Sequence, residues 1–222
     1  SARCAGKMPR RYRTPERRIR EDRPVTTVLA VANQKGGVGK TTLMCELLKW
    51  FPEWEAIKTT RGHYRSCGKD PHTCCVSHLL SEEPLVRSGH VETYQLGKDT
   101  GRYWDAGAAN VHWLICTDNQ VEQGIKEALA RVKSPGVFIE GNSFTQFVKT
   151  DHFVMVRRAE NDKMKTSARR TINRVTAIYV SDLIGEVENG MKYLPTAETP
   201  LFTPSNLFSL VGYLKWNRSK LY

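Results

Sequence analysis

The segment "ANQKGGVGKTT" (residues 32–42) constrains this chain most strongly, because it sets a glycine-rich turn between two patterned stretches. The letters "TTVLAV" before it predict a buried strand, and "LMCELLKWF" after it carries apolar residues at helical spacing. A strand, a glycine-rich turn and a helix N-terminus form a cradle for phosphate, since backbone N–H groups point into the turn. The segment therefore predicts a nucleotide-binding α/β fold.

The second half of the turn matches the P-loop pattern of glycine, lysine and threonine. We expect Lys40 to reach the β- and γ-phosphate oxygens and the Thr41 hydroxyl to bind Mg²⁺. Gln34 stands where the general pattern has its first glycine. The predicted nucleotide-binding residues of the loop are Gly36, Gly37, Val38, Gly39, Lys40, Thr41 and Thr42.

Short apolar strands alternate with helical patterns from residue 25 to about residue 182. This alternation predicts an α/β P-loop NTPase fold, with a mostly parallel sheet and helices on both faces. We expect three parts: a basic, flexible N-terminal arm (1–24), the P-loop nucleotide-binding domain (25–185) and a C-terminal extension with one amphipathic helix (186–222). A basic helix is also predicted over 162–175.

The chain has a formal net charge of +11, and its first 24 residues hold nine Lys or Arg against three Asp or Glu. A basic arm can bind nucleic acid or an acidic partner. Because this arm has little periodicity and only one aromatic residue, a solvated leader is favoured. The basic helix is likewise interpreted as a solvated face, so nucleic acid is not a favoured partner. No apolar run is long enough to span a bilayer, so we expect no membrane association and a cytoplasmic location.

An extra lysine, Lys35, precedes the loop glycines. "ANQKGGVGKTT" resembles the deviant Walker A loop of the ParA/MinD group almost letter for letter. That resemblance implies an ATP-binding homodimer in which Lys35 acts across the interface on the partner's phosphates; a solvated loop lysine is the alternative. The downstream Asp-rich motifs of ParA proteins are missing, because the corresponding strands read "EAIKTTRGHY" and "GVFIEGNSF".

Three further segments, "AIKTTRGHY", "LGKDTGRYWDAGA" and "VFIEGNSF", resemble the MobB proteins, which assist molybdopterin-guanine dinucleotide synthesis. They follow the P-loop in that family's order and cover most of residues 28–145. The resemblance implies a slow NTPase that assists cofactor assembly with a partner protein. It favours GTP, whereas the ParA-like loop favours ATP; GTP is slightly preferred.

Four acidic or basic residues follow predicted strands or precede a helix. Glu140 ends an apolar strand, where a Walker B acid holds Mg²⁺ or orients the attacking water. Lys58 ends the second strand and is a candidate to contact phosphate or an acidic substrate, with a solvated lysine as the alternative. The MobB resemblance places Asp99 near nucleotide or Mg²⁺, with a helix N-cap as the alternative, and Asp182 is a candidate for the base site. The predicted catalytic residues are Lys35, Lys40 and Glu140.

The segment "GHYRSCGKDPHTCCVSH" (62–78) holds three cysteines and three histidines. Thiolates and imidazoles bind Zn or Ni, and thiolates hold Fe–S clusters, although the spacing is not that of a zinc finger. The preferred ligands are Cys67, Cys74 and His78, and an incidental loop is the alternative. A metallochaperone-type NTPase using this loop, and a ParA-like DNA partition or positioning ATPase, are the alternative functions.

Overall fold

The computed structural model describes residues 26–34, 37–62, 76–159, 164, 166–183, 195–196 and 198–218. The predicted N-terminal arm lies outside these residues. The β-strands are β1 (Thr27–Asn33), β2 (Glu55–Arg61), β3 (Leu85–Ser88), β4 (Val111–Cys116), β5 (Gly136–Glu140), β6 (His152–Arg157), β7 (Ala177–Val180) and β8 (Leu201–Phe202). The α-helices are α1 (Lys40–Trp50), α2 (His90–Thr93), α3 (Asp99–Asp105), α4 (Val121–Ala130), α5 (Thr166–Arg169) and α6 (Leu207–Arg218).

The strands of the described part form one sheet in the order β3-β4-β2-β5-β1-β6-β7-β8. Only β3 runs antiparallel to its neighbour; the other described pairs are parallel. Strand β1 lies between β5 and β6, so the loop that leaves it emerges at the centre of the carboxyl edge. Such an edge is where α/β sheets bind ligands.

Two apolar cores cover the two faces of this sheet, as expected for parallel strands buried on both sides. Helices α1, α3 and α6 pack on one face, where Leu43, Leu47 and Tyr103 are buried with Leu210 of α6. Helix α4 packs on the other face through Ile125 and its neighbours. The predicted α/β fold class, with a mostly parallel sheet between helical layers, is confirmed.

A helix, α6, lies within the predicted C-terminal extension, and β8 adds a short parallel strand beside β7. The predicted division between residues 25–185 and 186–222 stays a prediction. No helix among the described residues is long and apolar enough to cross a membrane.

The predicted basic helix over 162–175 is wrong in its extent. Of this segment, the structure describes only α5 and a separate 3₁₀ turn, Ile172–Arg174, as helical. Arg170 and Thr171 separate the two, and the Thr171 hydroxyl donates to the carbonyls of Ser167 and Ala168. A threonine that bonds back to the preceding turn in this way competes with helix continuation.

Candidate functional site

The glycine-rich loop turns directly into helix α1. Gly39, the residue before Lys40, has φ 89°, a left-handed conformation that L side chains rarely adopt. Within the described residues no side chain caps the start of α1. The free N–H groups of this first turn and the helix dipole both favour an anion here. Lys35 and Gly36 lie outside the described residues.

Glu140 is the centre of a polar cluster at the carboxyl edge. It ends β5, whose five residues are all buried, and the residue itself is only 2% exposed. The Thr41 hydroxyl donates to Glu140 Oε2 at 3.1 Å, and Lys40 Nζ lies 3.3 Å from Oε1. The first two residues of α1 therefore meet the acid that ends a central strand.

Lys58 is the neighbour of Glu140 across the parallel β2–β5 pair, where their Cα atoms are in register. Its Nζ lies 2.7 Å from Glu140 Oε1 and 2.5 Å from Asp99 Oδ2. The lysine ammonium therefore bridges two carboxylates that come from different elements.

Helix α3 contributes Asp99 and Tyr103, which are four residues apart and therefore share one helix face. Tyr103 is fully buried and its hydroxyl donates to Glu140 Oε2. Asp99 is the first residue of α3, and its carboxylate binds Lys58; no side chain caps this helix among the described residues. The alternative of Asp99 as an N-cap is therefore wrong.

The charges of the cluster control its protonation. Burial alone would raise the pKa of Glu140, but the positive charges of Lys58 and Lys40 outweigh burial and lower it. Burial would likewise lower the pKa of Lys58, yet Glu140 and Asp99 raise it. Burial also opposes ionisation of Asp99, and Lys58 still lowers the pKa of that carboxyl. Both carboxylates and Lys58 are therefore charged at neutral pH.

The backbone around Glu140 is held from both sides. Thr59 donates its hydroxyl to the Glu140 carbonyl at 2.6 Å. A Cβ at Gly141 would overlap that same hydroxyl, so only glycine fits after the acid. The Asn142 side chain accepts from the Asn33 N–H at 3.0 Å and donates to its carbonyl at 2.8 Å. These contacts fix the ends of β1 and β5 beside the loop.

The oxygen atoms of Thr41, Glu140 and Asp99 suit Mg²⁺, which prefers hard oxygen ligands. Adjacent oxygens around octahedral Mg²⁺ are about 2.9 Å apart, close to the 3.1 Å between Thr41 Oγ1 and Glu140 Oε2. Among the described residues there is no group of three or more His, Cys, Asp or Glu side chains that could hold a metal. A magnesium ion here would therefore need further oxygens from phosphate or water.

A cavity of about 490 Å³ opens beside the loop, on the side of β6 and β7. Gly37, Gly39 and Thr42 line one wall, and Arg158 and Asp182 line the wall at the strand ends. Arg158 donates to the Gly37 carbonyl at 3.3 Å, and Asp182 Oδ1 accepts from the Ala159 N–H at 2.9 Å. The volume suits a ligand the size of a nucleoside.

The described residues bring together Lys40, Thr41, Lys58, Asp99 and Glu140, and Thr42 and Val38 border the cavity. The interpretation of the sequence missed Tyr103, whose four-residue spacing from Asp99 was the available signal. It also missed Asn142. The roles assigned to these residues stay predictions.

The predicted metal ligands Cys67 and Cys74 lie outside the described residues. His78 is described and exposed, within the 3₁₀ turn Ser77–Leu79. The Cys/His loop therefore stays a prediction.

No protein-family profile matches this chain, and no curated protein matches it. Among solved structures it is similar to LpxK from Aquifex aeolicus in complex with ATP, at 19% identity and a TM-score of 0.48, over 81% of this chain but only 54% of LpxK. HypB from Helicobacter pylori in complex with nickel aligns at 16% identity over 89% of both chains, with a TM-score of 0.49. A nucleotide-binding protein from Archaeoglobus fulgidus in complex with ADP aligns at 16% identity over 84% of this chain and 86% of that one, with a TM-score of 0.39.

Proposed function

We propose that this chain is a Mg²⁺-dependent P-loop nucleotide-binding protein that hydrolyses its nucleoside triphosphate slowly. The contact that carries this proposal is the bond from Thr41 to Glu140, with Lys40 beside both. It joins the end of a phosphate loop to the acid of a central strand, which is the arrangement that holds a metal-bound triphosphate.

The proposed roles follow from position. Backbone N–H groups of the loop, including those of Gly37 to Gly39, bind the phosphates, and Lys40 neutralises them. Thr41, Glu140 and Asp99 hold Mg²⁺ directly or through water, and the ion supplies charge stabilisation at the phosphate oxygens. Lys35 adds positive charge to the loop and acts across a homodimer interface, as its resemblance to the ParA loop implies.

Slow turnover is expected from the partners and the lowered pKa of Glu140. Its carboxylate already accepts from Thr41 and Tyr103 and pairs with Lys58, while its lowered pKa makes it a weak base. A good general base has a pKa near the working pH and room for the water it activates. Glu140 therefore orients the metal and its water better than it removes a proton.

GTP is the proposed nucleotide, with ATP as the alternative. Asp182 lines the cavity that suits the nucleoside and keeps one carboxylate oxygen beyond the one that binds Ala159. Guanine presents adjacent N–H donors on its pairing edge, which a carboxylate accepts well. This chemistry agrees with the preference implied by the MobB resemblance.

MobB-like assistance to cofactor assembly, with a cofactor-synthesis partner, is the proposed role. Its support is that the three MobB-like segments each contribute to one cluster: Lys58 from the first, Asp99 and Tyr103 from the second, and Glu140 from the third. The nickel or zinc metallochaperone and the DNA-partition ATPase depend on residues outside the described part. Metal lost from a Cys67, Cys74 and Cys75 triple variant would favour the former, and ATP-dependent dimerisation on DNA lost in Lys35→Ala would favour the latter.

The test is nucleotide binding by wild type and Lys40→Ala, with ATP and GTP turnover measured side by side in Mg²⁺. Lys126→Ala is the matched control, because Lys126 forms an exposed pair with Glu122 on α4. We expect Lys40→Ala to lose nucleotide affinity and the control to keep it. Equal affinity in Lys40→Ala and wild type would refute the proposed site.

A further inference from the structure

Lys58 occupies the space between the two carboxylates assigned to Mg²⁺. Its Nζ is 2.5 Å from Asp99 and 2.7 Å from Glu140, and its side chain is only 17% exposed. Thr41, the third oxygen ligand, bonds to Glu140 at the same place. A lysine ammonium there supplies positive charge to the same oxygen atoms that a divalent cation would use.

We propose that Lys58 is a built-in counter-cation that holds the magnesium ligands in place before nucleotide arrives and is displaced from them by Mg²⁺. The proposal rests on the proposed function, because it assigns Asp99, Glu140 and Thr41 to the metal. It makes Lys58 a positioning residue that sets how much Mg²⁺ the site requires.

The backbone geometry supports an exchange of the side chain alone. Cα atoms of Lys58 and Glu140 are in register in adjacent parallel strands, so the sheet fixes where the lysine starts. Only the flexible four-carbon side chain has to move for the ammonium to leave the carboxylates. Glu140 keeps the Tyr103 and Thr41 hydroxyls as donors after that movement.

The charges give the exchange its direction. Without ligand, the ammonium groups of Lys40 and Lys58 pair with the carboxylates of Asp99 and Glu140, and the charge of Arg102 also acts on Asp99. Mg²⁺ binding at the carboxylates brings like charge beside Lys58, and the repulsion is strong in a partly buried site. The phosphates that arrive with the metal offer the displaced ammonium a new partner.

The first experiment titrates Mg²⁺ without nucleotide by calorimetry and by thermal unfolding, at an ionic strength held constant with NaCl. Lys58→Met is compared with wild type, with the charge-preserving Lys58→Arg and with Lys126→Met as the distant control. We expect Lys58→Met to reach half saturation at a Mg²⁺ concentration at least about tenfold lower than wild type, because the competing charge is gone. Lys58→Arg and Lys126→Met should behave as wild type does.

Lys58→Met leaves two carboxylates without their main partner and is expected to be less stable without metal. Mg²⁺ should then raise its melting temperature more than that of wild type, since an ion that binds only the folded state stabilises it. Adding Asp99→Asn to Lys58→Met should abolish this gain, because it removes one metal ligand. An unchanged or higher Mg²⁺ requirement in Lys58→Met would overturn the proposal.

A fluorescent guanine or adenine nucleotide then separates this inference from the proposed function. We expect Lys58→Met to bind nucleotide at lower Mg²⁺ than wild type. If its nucleotide affinity falls at every Mg²⁺ concentration while metal binding is unchanged, Lys58 is only a phosphate ligand and the inference is wrong. If wild type binds no nucleotide, the proposed function fails, and the titrations without nucleotide still report on Lys58.

Discussion

Replacing Tyr103 by phenylalanine removes one hydroxyl from the centre of the candidate site and nothing else. Tyr103 is fully buried, and its hydroxyl donates to the ionised Glu140. A hydrogen bond to a charged acceptor contributes about 1.5–3 kcal/mol, and phenylalanine fills the same volume, so no cavity forms. We expect Tyr103→Phe to lower the free energy of unfolding by that amount, or the melting temperature by roughly 3–12 °C for a chain of this length.

The assay is urea unfolding followed by circular dichroism, with Tyr213→Phe as the matched control. The Tyr213 hydroxyl donates to the neutral carbonyl of Thr176 at 3.0 Å, on α6 and away from the carboxylates. A neutral pair contributes about 0.5–1.5 kcal/mol, so the control should lose less stability. If Tyr103→Phe costs no more than Tyr213→Phe, the hydroxyl is not bound to a charged Glu140 and the reasoning fails.

The same pair of proteins should show a pH dependence. The folded-state pKa of Glu140 is lowered, so the stability it contributes is present above its unfolded pKa of about 4.3 and is lost as pH falls toward the folded pKa. The difference in unfolding free energy between wild type and Tyr103→Phe should therefore be largest near neutrality and shrink in acid. A difference that grows as the pH falls would contradict the assignment of charge to Glu140, because the Tyr103 hydrogen bond would then stabilise the neutral carboxyl.

Two further outcomes follow from groups outside this cluster. Asp182→Asn should weaken GTP binding about tenfold or more and leave ATP binding nearly unchanged. Asparagine keeps an oxygen that can accept from the Ala159 N–H, but it loses the negative charge that would face guanine. An equal loss of affinity for both nucleotides, measured by competition binding, would argue against a guanine site. His152 is buried with no hydrogen-bond partner for its ring nitrogens among the described residues, and burial lowers its pKa despite the charge of Asp151. The wild type should therefore lose stability as the pH falls below about 6.5, and His152→Leu should lose less between pH 7.5 and 5.5. If the unfolding free energies of the two proteins change equally with pH over this range, the effect of His152 is excluded.

The sequence was sufficient for those parts of the fold with strong periodicity. The strand before the loop and the strand that ends at Glu140 have continuous apolar runs, α1 has apolar residues at helical spacing, and each lies where it was predicted. Strand β8 has two residues, too few to produce any pattern, and β3 is a short antiparallel edge strand. Their positions depend on pairing partners that are distant in the chain.

The sequence predicted which residues lie near the ends of strands, but not which of their side chains become neighbours in the site. That Lys58 and Glu140 would be direct neighbours depends on β2 lying beside β5, which is a property of strand order and not of either segment alone. Tyr103 has the period of a core residue, and nothing local distinguishes a buried tyrosine that packs from one that also donates to a carboxylate. For Asp99 the local pattern fitted a helix cap equally well, and only the structure shows that its carboxylate pairs with Lys58 instead of capping α3.

The charges of the cluster also bear on the role proposed for Lys35. Lys40 and Lys58 already pair with Glu140 and Asp99, so the positive charge of these two lysines is largely engaged in the cluster. A Mg²⁺–triphosphate complex keeps a net negative charge. Because the ion is shared between the carboxylates and the phosphates, part of the phosphate charge stays uncompensated. We propose that the loop containing Lys35 binds those phosphates and that Lys35 supplies part of this missing charge. Lys35→Ala should therefore weaken triphosphate binding more than diphosphate binding, whereas equal losses would place Lys35 away from the terminal phosphate.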